Sequence, residues 1–319
     1  MKFRLPKINY DTSALGIALK ERSLEMAQVA KTPTGYAVER LVFAAIPPQT
    51  IIDGMLVDEK VFSAIFDRLI AQIASNNHHN VVLCIPGSSA FVKRILFPAP
   101  SREEVTKILR EDFNMYFPFS SHSEVYFDIA EMGKGPSDHL EVLVVACKKR
   151  TIDSYLEVIQ DLGINPMAVD VAFFALQNLF ETVNGRTDVI NMLVDIGYPE
   201  VNINVVKHGI SLFTQDIFLP ESVNPAHFLG EEIERAIVYY DSLAKGLGIE
   251  CGILSGEMAS QALLEHLQER LPVPLRLLET FHHRVLRKKE AFCKATNTEL
   301  AGKMALCIGA AIGLLEAND

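Results

Sequence analysis

Residues 190–200 read Ile190-Asn191-Met192-Leu193-Val194-Asp195-Ile196-Gly197-Tyr198-Pro199-Glu200, and the chain runs on through Val201–Val206, Lys207-His208-Gly209 and Ile210–Ile217. The runs Ile190–Ile196, Val201–Val206 and Ile210–Ile217 are rich in Val and Ile and bounded by turn residues. They predict consecutive strands, with Lys207-His208-Gly209 as a hairpin turn. A long helix follows over 228–243, with Leu229, Ile233, Ile237, Tyr240 and Leu243 on one face. Cys251–Leu254 is then a short strand leading to Ser255-Gly256.

The same order occurs about 175 residues earlier, a duplication in pattern without obvious sequence identity. Leu15–Leu19 and Leu24–Ala30 read as strands around a charged Lys20-Glu21-Arg22 corner, and the Thr32–Gly35 turn leads to a strand over Tyr36–Ile46. After Pro47-Pro48 a helix begins near Asp58, a good cap, with Val61, Phe62, Ile65, Phe66, Leu69, Ile70 and Ile73 on one face. Val81–Ile85 is a short buried strand ended by Pro86-Gly87.

A separate module lies between the repeats. It is expected to hold a strand (Ala90–Phe97), a helix (Arg102–Met115), a strand pair (Glu124–Glu131, Leu140–Val145) with a loop tip at Gly133–Ser137, and a second helix from Thr151 to Gly163. That helix would turn Ile152, Tyr155, Leu156, Ile159 and Leu162 inward. The predicted fold is α/β: residues 1–86 begin a first half, 87–165 are inserted, 166–188 connect, and 189–319 form the second half.

Composition narrows the function. Of 319 residues 49% are hydrophobic, which excludes disorder. A net charge of −10 opposes binding to a phosphate backbone, so no nucleic-acid partner is expected. The basic start Met1–Lys7 has no apolar run behind it, so it is not read as a signal peptide. The apolar run Met304–Leu315 falls short of the ~20 residues that span a bilayer. The five cysteines are scattered without a C-x-x-C pair, as in reduced core thiols. A soluble cytoplasmic protein is expected.

The common enzyme motifs are missing: no G-x-x-x-x-G-K-[ST], G-x-S-x-G or H-E-x-x-H occurs. Gly246–Gly252 follows a helix and has the wrong spacing for a dinucleotide fingerprint. The adjacent pairs His78-His79 and His282-His283 do not converge on a metal and read as solvated. What remains is Asp195 and Gly197, where an apolar strand ends in a carboxylate and turns on a glycine. Actin-like ATPases use hairpins similar to this one to hold phosphates through backbone N–H groups, with the Asp binding Mg²⁺ directly or through water. A plain β-turn fits the same residues.

The order of segments resembles the PilM family of type IV pilus assembly proteins, including its MshI-type members. The carriers are Tyr36–Arg40 through Ile46-Pro47-Pro48, Ile52-Asp53-Gly54-Met55-Leu56-Val57-Asp58, and Pro86-Gly87-Ser88-Ser89 with Lys93-Arg94 and Leu96–Ala99. They continue in Asp112 to Tyr116-Phe117-Pro118-Phe119, Ala168-Val169-Asp170, Ser255-Gly256 with Leu277–Phe281, and Ile308–Leu314. The resemblance runs from about residue 15 to the end. It implies an actin-like (ribonuclease H-like) fold of duplicated β-sheet halves, with the inserted module as a 1C-type α+β subdomain. It also implies a cytoplasmic position, peripheral at the inner membrane. The implied partner is the N-terminal cytoplasmic tail of a PilN- or MshJ-like single-pass membrane protein, alongside other platform components.

The sequence departs from the pattern of active members, which carry D-I-G-S-S-S-x-K in the first hairpin. Aligned on Gly16-Ile17, the metal Asp becomes Ala18, the turn Gly becomes Lys20, and the Lys becomes Glu25. Glu21 and Glu25 would face phosphates with like charge. In the second hairpin Pro199 removes a donor and Glu200 repels phosphate. After Gly256, Glu257 replaces a second glycine that would leave room for a base.

The leading expectation is therefore a non-enzymatic adaptor with a degenerate nucleotide site at Asp195, Gly197 and Gly256, ATP and Mg²⁺ being disfavoured. A tail peptide is expected in the groove between the first-half sheet and the inserted module, with Lys93 or Arg94 fixing register. Phe117-Pro118-Phe119 reads either as partner contact or as core, and the basic run Arg284, Arg287, Lys288, Lys289 as a solvated helix face or a site for anionic lipid or an acidic partner. One alternative is an active actin-like ATPase that gates partner binding. Another is the cytoplasmic domain of a GspL-type secretion protein, disfavoured because those continue into a transmembrane helix. A homo-oligomer stays open.

Overall fold

The computed structural model describes residues 3–4, 12–73, 80–99, 101–119, 121–135, 139–244, 246–281, 286–288 and 298–317. The pairs His78-His79 and His282-His283, most of the Gly133–Ser137 loop tip beyond Gly135, and Arg284 and Lys289 lie outside them.

The first half opens with β1 (Phe3–Arg4) and the meander β2 (Ser13–Leu19), β3 (Ser23–Thr32) and β4 (Gly35–Ala45). A short hairpin of β5 (Ile51–Ile52) and β6 (Met55–Leu56) leads to α1 (Glu59–Ile70). Asp58 caps this helix by accepting the Val61 amide at 3.1 Å, and Phe62, Ile65, Phe66 and Leu69 form its buried stripe. β7 (Val81–Ile85) then lies parallel to β2, with Leu15 opposite Val81.

The inserted module comprises β8 (Ala90–Phe97), α2 (Arg102–Glu111), α3 (Phe113–Tyr116), β9 (Val125–Lys134), β10 (Leu140–Lys148) and α4 (Lys149–Asp161). Its antiparallel sheet runs β8-β10-β9. The single helix expected over 102–115 is two, because Asp112 leaves helical geometry (φ −123°, ψ 36°) and the bend turns Phe113 into the module's core. Residues 133–134, expected in the loop tip, extend β9.

The chain returns as β11 (Ala168–Val171), parallel to β7, and α5 (Ala172–Asn184). Residues 166–188 thus supply a strand of the first sheet as well as a connection. The second half holds β12 (Asn191–Ile196), β13 (Glu200–Lys207), β14 (Ile210–Phe218), α6 (Pro225–Ala244), β15 (Cys251–Ser255), α7 (Gln261–Gln268) and β16 (Leu275–Leu277). It ends in β17 (Leu286–Lys288), α8 (Thr298–Lys303) and α9 (Ala305–Glu316).

The two sheets share one plan: β4-β3-β2-β7-β11 in the first and β14-β13-β12-β15-β16 in the second. In both, an antiparallel meander is followed by two parallel additions. The first sheet is extended at its far edges by β1 and by β17, which pairs parallel to Tyr36–Val38. The basic run over 284–289 is therefore not a helix face where it is described: Leu286–Lys288 is a sheet edge, drawn there by pairing with β4. Leu243, expected on the inward face of α6, is exposed, since the buried stripe passes from Tyr240 to Ala244 in the last turn.

The apolar run near the C-terminus forms α9, buried on every side from Ala305 to Leu315, as expected of a helix inside a core rather than on its surface. It packs so closely that a Cβ on Gly309 would lie 1.8 Å from the Ala175 carbonyl oxygen of α5, and one on Gly16 would lie 1.9 Å from that of Cys307. α5, α9 and the faces of both sheets share one apolar cluster. That shared core fixes the hairpins of the two halves across a common cleft.

Candidate functional site

The turn of the first hairpin is closed by the Lys20 amide, which donates to the Ser23 carbonyl at 3.0 Å. Its side chain folds inward, placing Nζ 3.0 Å from Glu25 Oε1 and 3.7 Å from Asp195 Oδ2. Asp195 sits at the end of β12, only 2% exposed, and accepts the hydroxyl of Ser255, its register partner on β15, at 3.1 Å. Ser23 Oγ donates to Glu25 Oε1 at 3.2 Å, while Glu25 Oε2 is buried with no hydrogen-bond partner among the described residues. Burial opposes the Lys20 charge, but Glu25 and Asp195 outweigh it and hold the ammonium protonated far above the ordinary range for lysine. With one cation between carboxylates, burial pushes the Glu25 carboxyl up against the pull of Lys20.

In the second hairpin Gly197 is demanded by a close approach, because a Cβ there would lie 2.9 Å from the Glu200 carbonyl oxygen. The Tyr198 amide that follows donates to the Glu257 carboxylate at 2.9 Å. Gly256 (φ 99°) packs against β12, where a Cβ would meet the Ile196 backbone at 2.6 Å. Glu200 reaches across to the first half and accepts the Ser88 amide (3.1 Å) and hydroxyl (2.8 Å). Asn202 Nδ2 donates to both Glu200 and Asp216 at 2.6 Å. Burial and the Glu200 charge push the Asp216 carboxyl up to about 8.

Asp195, Gly197, Lys20, Glu21 and Glu200 thus line one cavity, and Gly256 stands behind it against Ile196. The cavity measures about 20 Å³, room for roughly one water molecule. Among the described residues no group of three or more His, Cys, Asp or Glu is placed to hold a metal ion.

The residues expected to meet a partner fall into two sets. Phe117 stacks on Phe113 with ring centroids 4.9 Å apart, and Phe119 meets Phe91 edge-on, also at 4.9 Å. Both are buried in the module's core, so the partner-contact reading of these two rings gives way to the core reading. Pro118, between them, is exposed. Lys93 and Arg94 are exposed on β8, an edge strand, where Lys93 donates to the Tyr116 carbonyl at 3.0 Å and Arg94 grips Glu141 through two bonds of 2.6 and 2.7 Å. Sequence reasoning missed Lys20 as an inward cation, and Ser88, Asn202 and Asp216 as the bridge between the halves. The available signal was the pairing of polar residues on adjacent strands: Asn202 and Asp216 are register partners.

Two sheets of one strand order, each sending a hairpin to a shared cleft, define an actin-like fold. Residues 16–219 match the family described as "Type IV pilus assembly protein PilM", and the chain belongs to that family. Its fold is similar to a chain in the solved structure of a PilM–PilN type IV pilus biogenesis complex, with a TM-score of 0.80, 18% identity, and coverage of 95% of this chain and 98% of that one. It is also similar to the cytoplasmic domain of EpsL, an inner-membrane component of the type II secretion system of Vibrio cholerae. There the TM-score is 0.52, the identity 10%, and the coverage 94% of this chain and 95% of that one. Among the described residues no helix is long and apolar enough to cross a membrane.

Proposed function

We propose that this member of the PilM family is an adaptor that works without nucleotide turnover, in a mannose-sensitive or related type IV pilus system. One observation carries the reading: side chains of both halves meet where the hairpins would hold Mg-ATP. The Lys20 ammonium lies beside Asp195, the carboxylate suited to a metal, and Glu257 takes the Tyr198 amide that would otherwise point at a phosphate. With Glu21 and Glu200 also on the wall and space for about one water, the residues present do not fit the group. Asp195 and Gly197 are explained without it, by Ser255, Lys20 and the close approach of Glu200.

The partner we propose is the cytoplasmic N-terminal tail of a PilN-like inner-membrane protein, which would bring the chain to the membrane. The similarity to a PilM–PilN complex supports this, as does the position of β8 at a sheet edge among the described residues, with Phe91, Lys93, Arg94 and Leu96 exposed along it. An extended tail would dock at the groove beside this module, its backbone meeting a strand edge and alternate side chains filling pockets. A synthetic tail peptide of the membrane partner is expected to bind the purified protein at tens of micromolar or tighter. Failure to bind at those concentrations would count against the reading.

A further inference from the structure

Lys20 occupies a turn position that could have been a solvated corner, yet its ammonium is drawn between two buried carboxylates from different halves of the molecule. Glu25 belongs to the first sheet and is 3% exposed, and Asp195 belongs to the second and is 2% exposed. Two buried carboxylates facing each other without a cation would repel strongly, since removing one member of a buried ionic set leaves charge uncompensated. Among the described residues neither Glu25 Oε2 nor the Lys20 ammonium has a hydrogen-bond partner that fully satisfies it, so opposite charge at 3.0 and 3.7 Å is what holds the set together. We infer that Lys20 is a tethered cation standing in for a divalent metal ion, and that it joins the hairpins of the two halves in a cleft that stays closed with no ligand bound. The inference rests on the nucleotide-free reading above and adds to it the residue that makes closure independent of any ion in solution.

The geometry accounts for the choice of lysine. A four-carbon stem reaches from the turn into the cleft, where a compact ammonium can meet carboxylates from two directions. A hydrated divalent ion commonly uses one or two carboxylates and keeps several waters. The space for about one water leaves no place for such an ion while Lys20 is present. Shortening Lys20 to alanine therefore opens the position and leaves Glu25 and Asp195 facing it.

The test is the melting temperature of the full chain in EDTA and in millimolar Mg²⁺, Mn²⁺ or Ca²⁺. The wild type is expected to melt at one temperature in all four conditions. Lys20→Ala is expected to melt about 5–10 °C lower in EDTA, as for a broken buried pair. At least one divalent cation should then recover part of the loss, and the recovery should vanish in Lys20→Ala/Asp195→Asn. A wild type stabilised by these ions, or a Lys20→Ala variant that responds to none of them, overturns the inference. Should Lys20→Ala fail to fold, the charge-balanced Lys20→Met/Glu25→Gln keeps the question open to measurement. It should be more stable than Lys20→Met alone, and a double variant no better than the single one also overturns the inference. Binding of Mg-ATP to the wild type, measured separately, would end the nucleotide-free reading without deciding how Lys20→Ala responds to metal.

Discussion

The carboxylate of Glu200, at the start of β13, accepts both the amide and the hydroxyl of Ser88, in the short 3-10 turn that follows β7. A residue of the second half thus grips a turn of the first through two hydrogen bonds to one side chain. Glu200→Ala removes both bonds and frees Asn202 from one of its acceptors, at an expected cost of about 2–3 kcal/mol. Ser88→Ala keeps the amide bond and should cost about 1 kcal/mol. Urea unfolding of both variants checks the ranking, and equal costs would mean that the hydroxyl carries the contact.

Asp216 gives the same bridge a pH dependence. Its carboxyl, pushed up to about 8, keeps its proton in the folded chain at pH values where an unfolded aspartate has ionised. The folded state therefore binds more protons between about pH 4 and pH 8, and this group makes stability fall as pH rises through that window. The slope is at most ~1.4 kcal/mol per pH unit, and partial access to solvent reduces it. Asp216→Asn should flatten it. Urea midpoints measured against pH would decide, and parallel curves for the two proteins would contradict the assignment.

The central helices leave no room for a methyl group. Gly309→Ala would drive a Cβ into the Ala175 carbonyl, so a loss of more than about 4 kcal/mol, or insolubility, is expected. Gly302→Ala is the control. A Cβ there would come no closer than 4.0 Å to Thr280 Oγ1, and alanine in α8 should be neutral or stabilising by up to about 1 kcal/mol. Differential scanning calorimetry separates the two, and similar melting temperatures would refute the packing account.

In the inserted module, fold and recognition should separate by residue. Phe117→Ala opens the aromatic core and is expected to cost about 3–5 kcal/mol. Lys93→Ala, on an exposed strand edge, should change stability by less than about 1 kcal/mol while weakening tail-peptide binding. Thermal melts and peptide titration on the same samples check both halves of the prediction.

Much of this organisation was legible in the residues. β12–β14 and β2–β4 follow from runs of branched residues between turn signals, and the capping of α1 by Asp58 from the step into an apolar stripe. Asp195 and Gly197 stood out because a buried strand rarely ends on a carboxylate without a reason. Lys20 was not legible, since a charged turn residue is ordinarily solvated. What draws it inward is the Glu25 carboxylate on the next strand together with that of Asp195, some 175 residues away in the chain. β17 was missed for a related reason: three residues with two basic side chains become a strand only because β4 offers an edge. The Phe117 and Phe119 rings carried no local sign of direction, and the bend at Asp112 settles which way this segment packs.

The central claim is that partner binding owes nothing to nucleotide. The most direct measurement is calorimetric titration of the partner's tail peptide into the full chain, with and without Mg-ATP. The account predicts one Kd in both conditions, within about twofold. A tail that binds only with Mg-ATP, or a Kd that moves tenfold or more (about 1.4 kcal/mol of coupling), would contradict it.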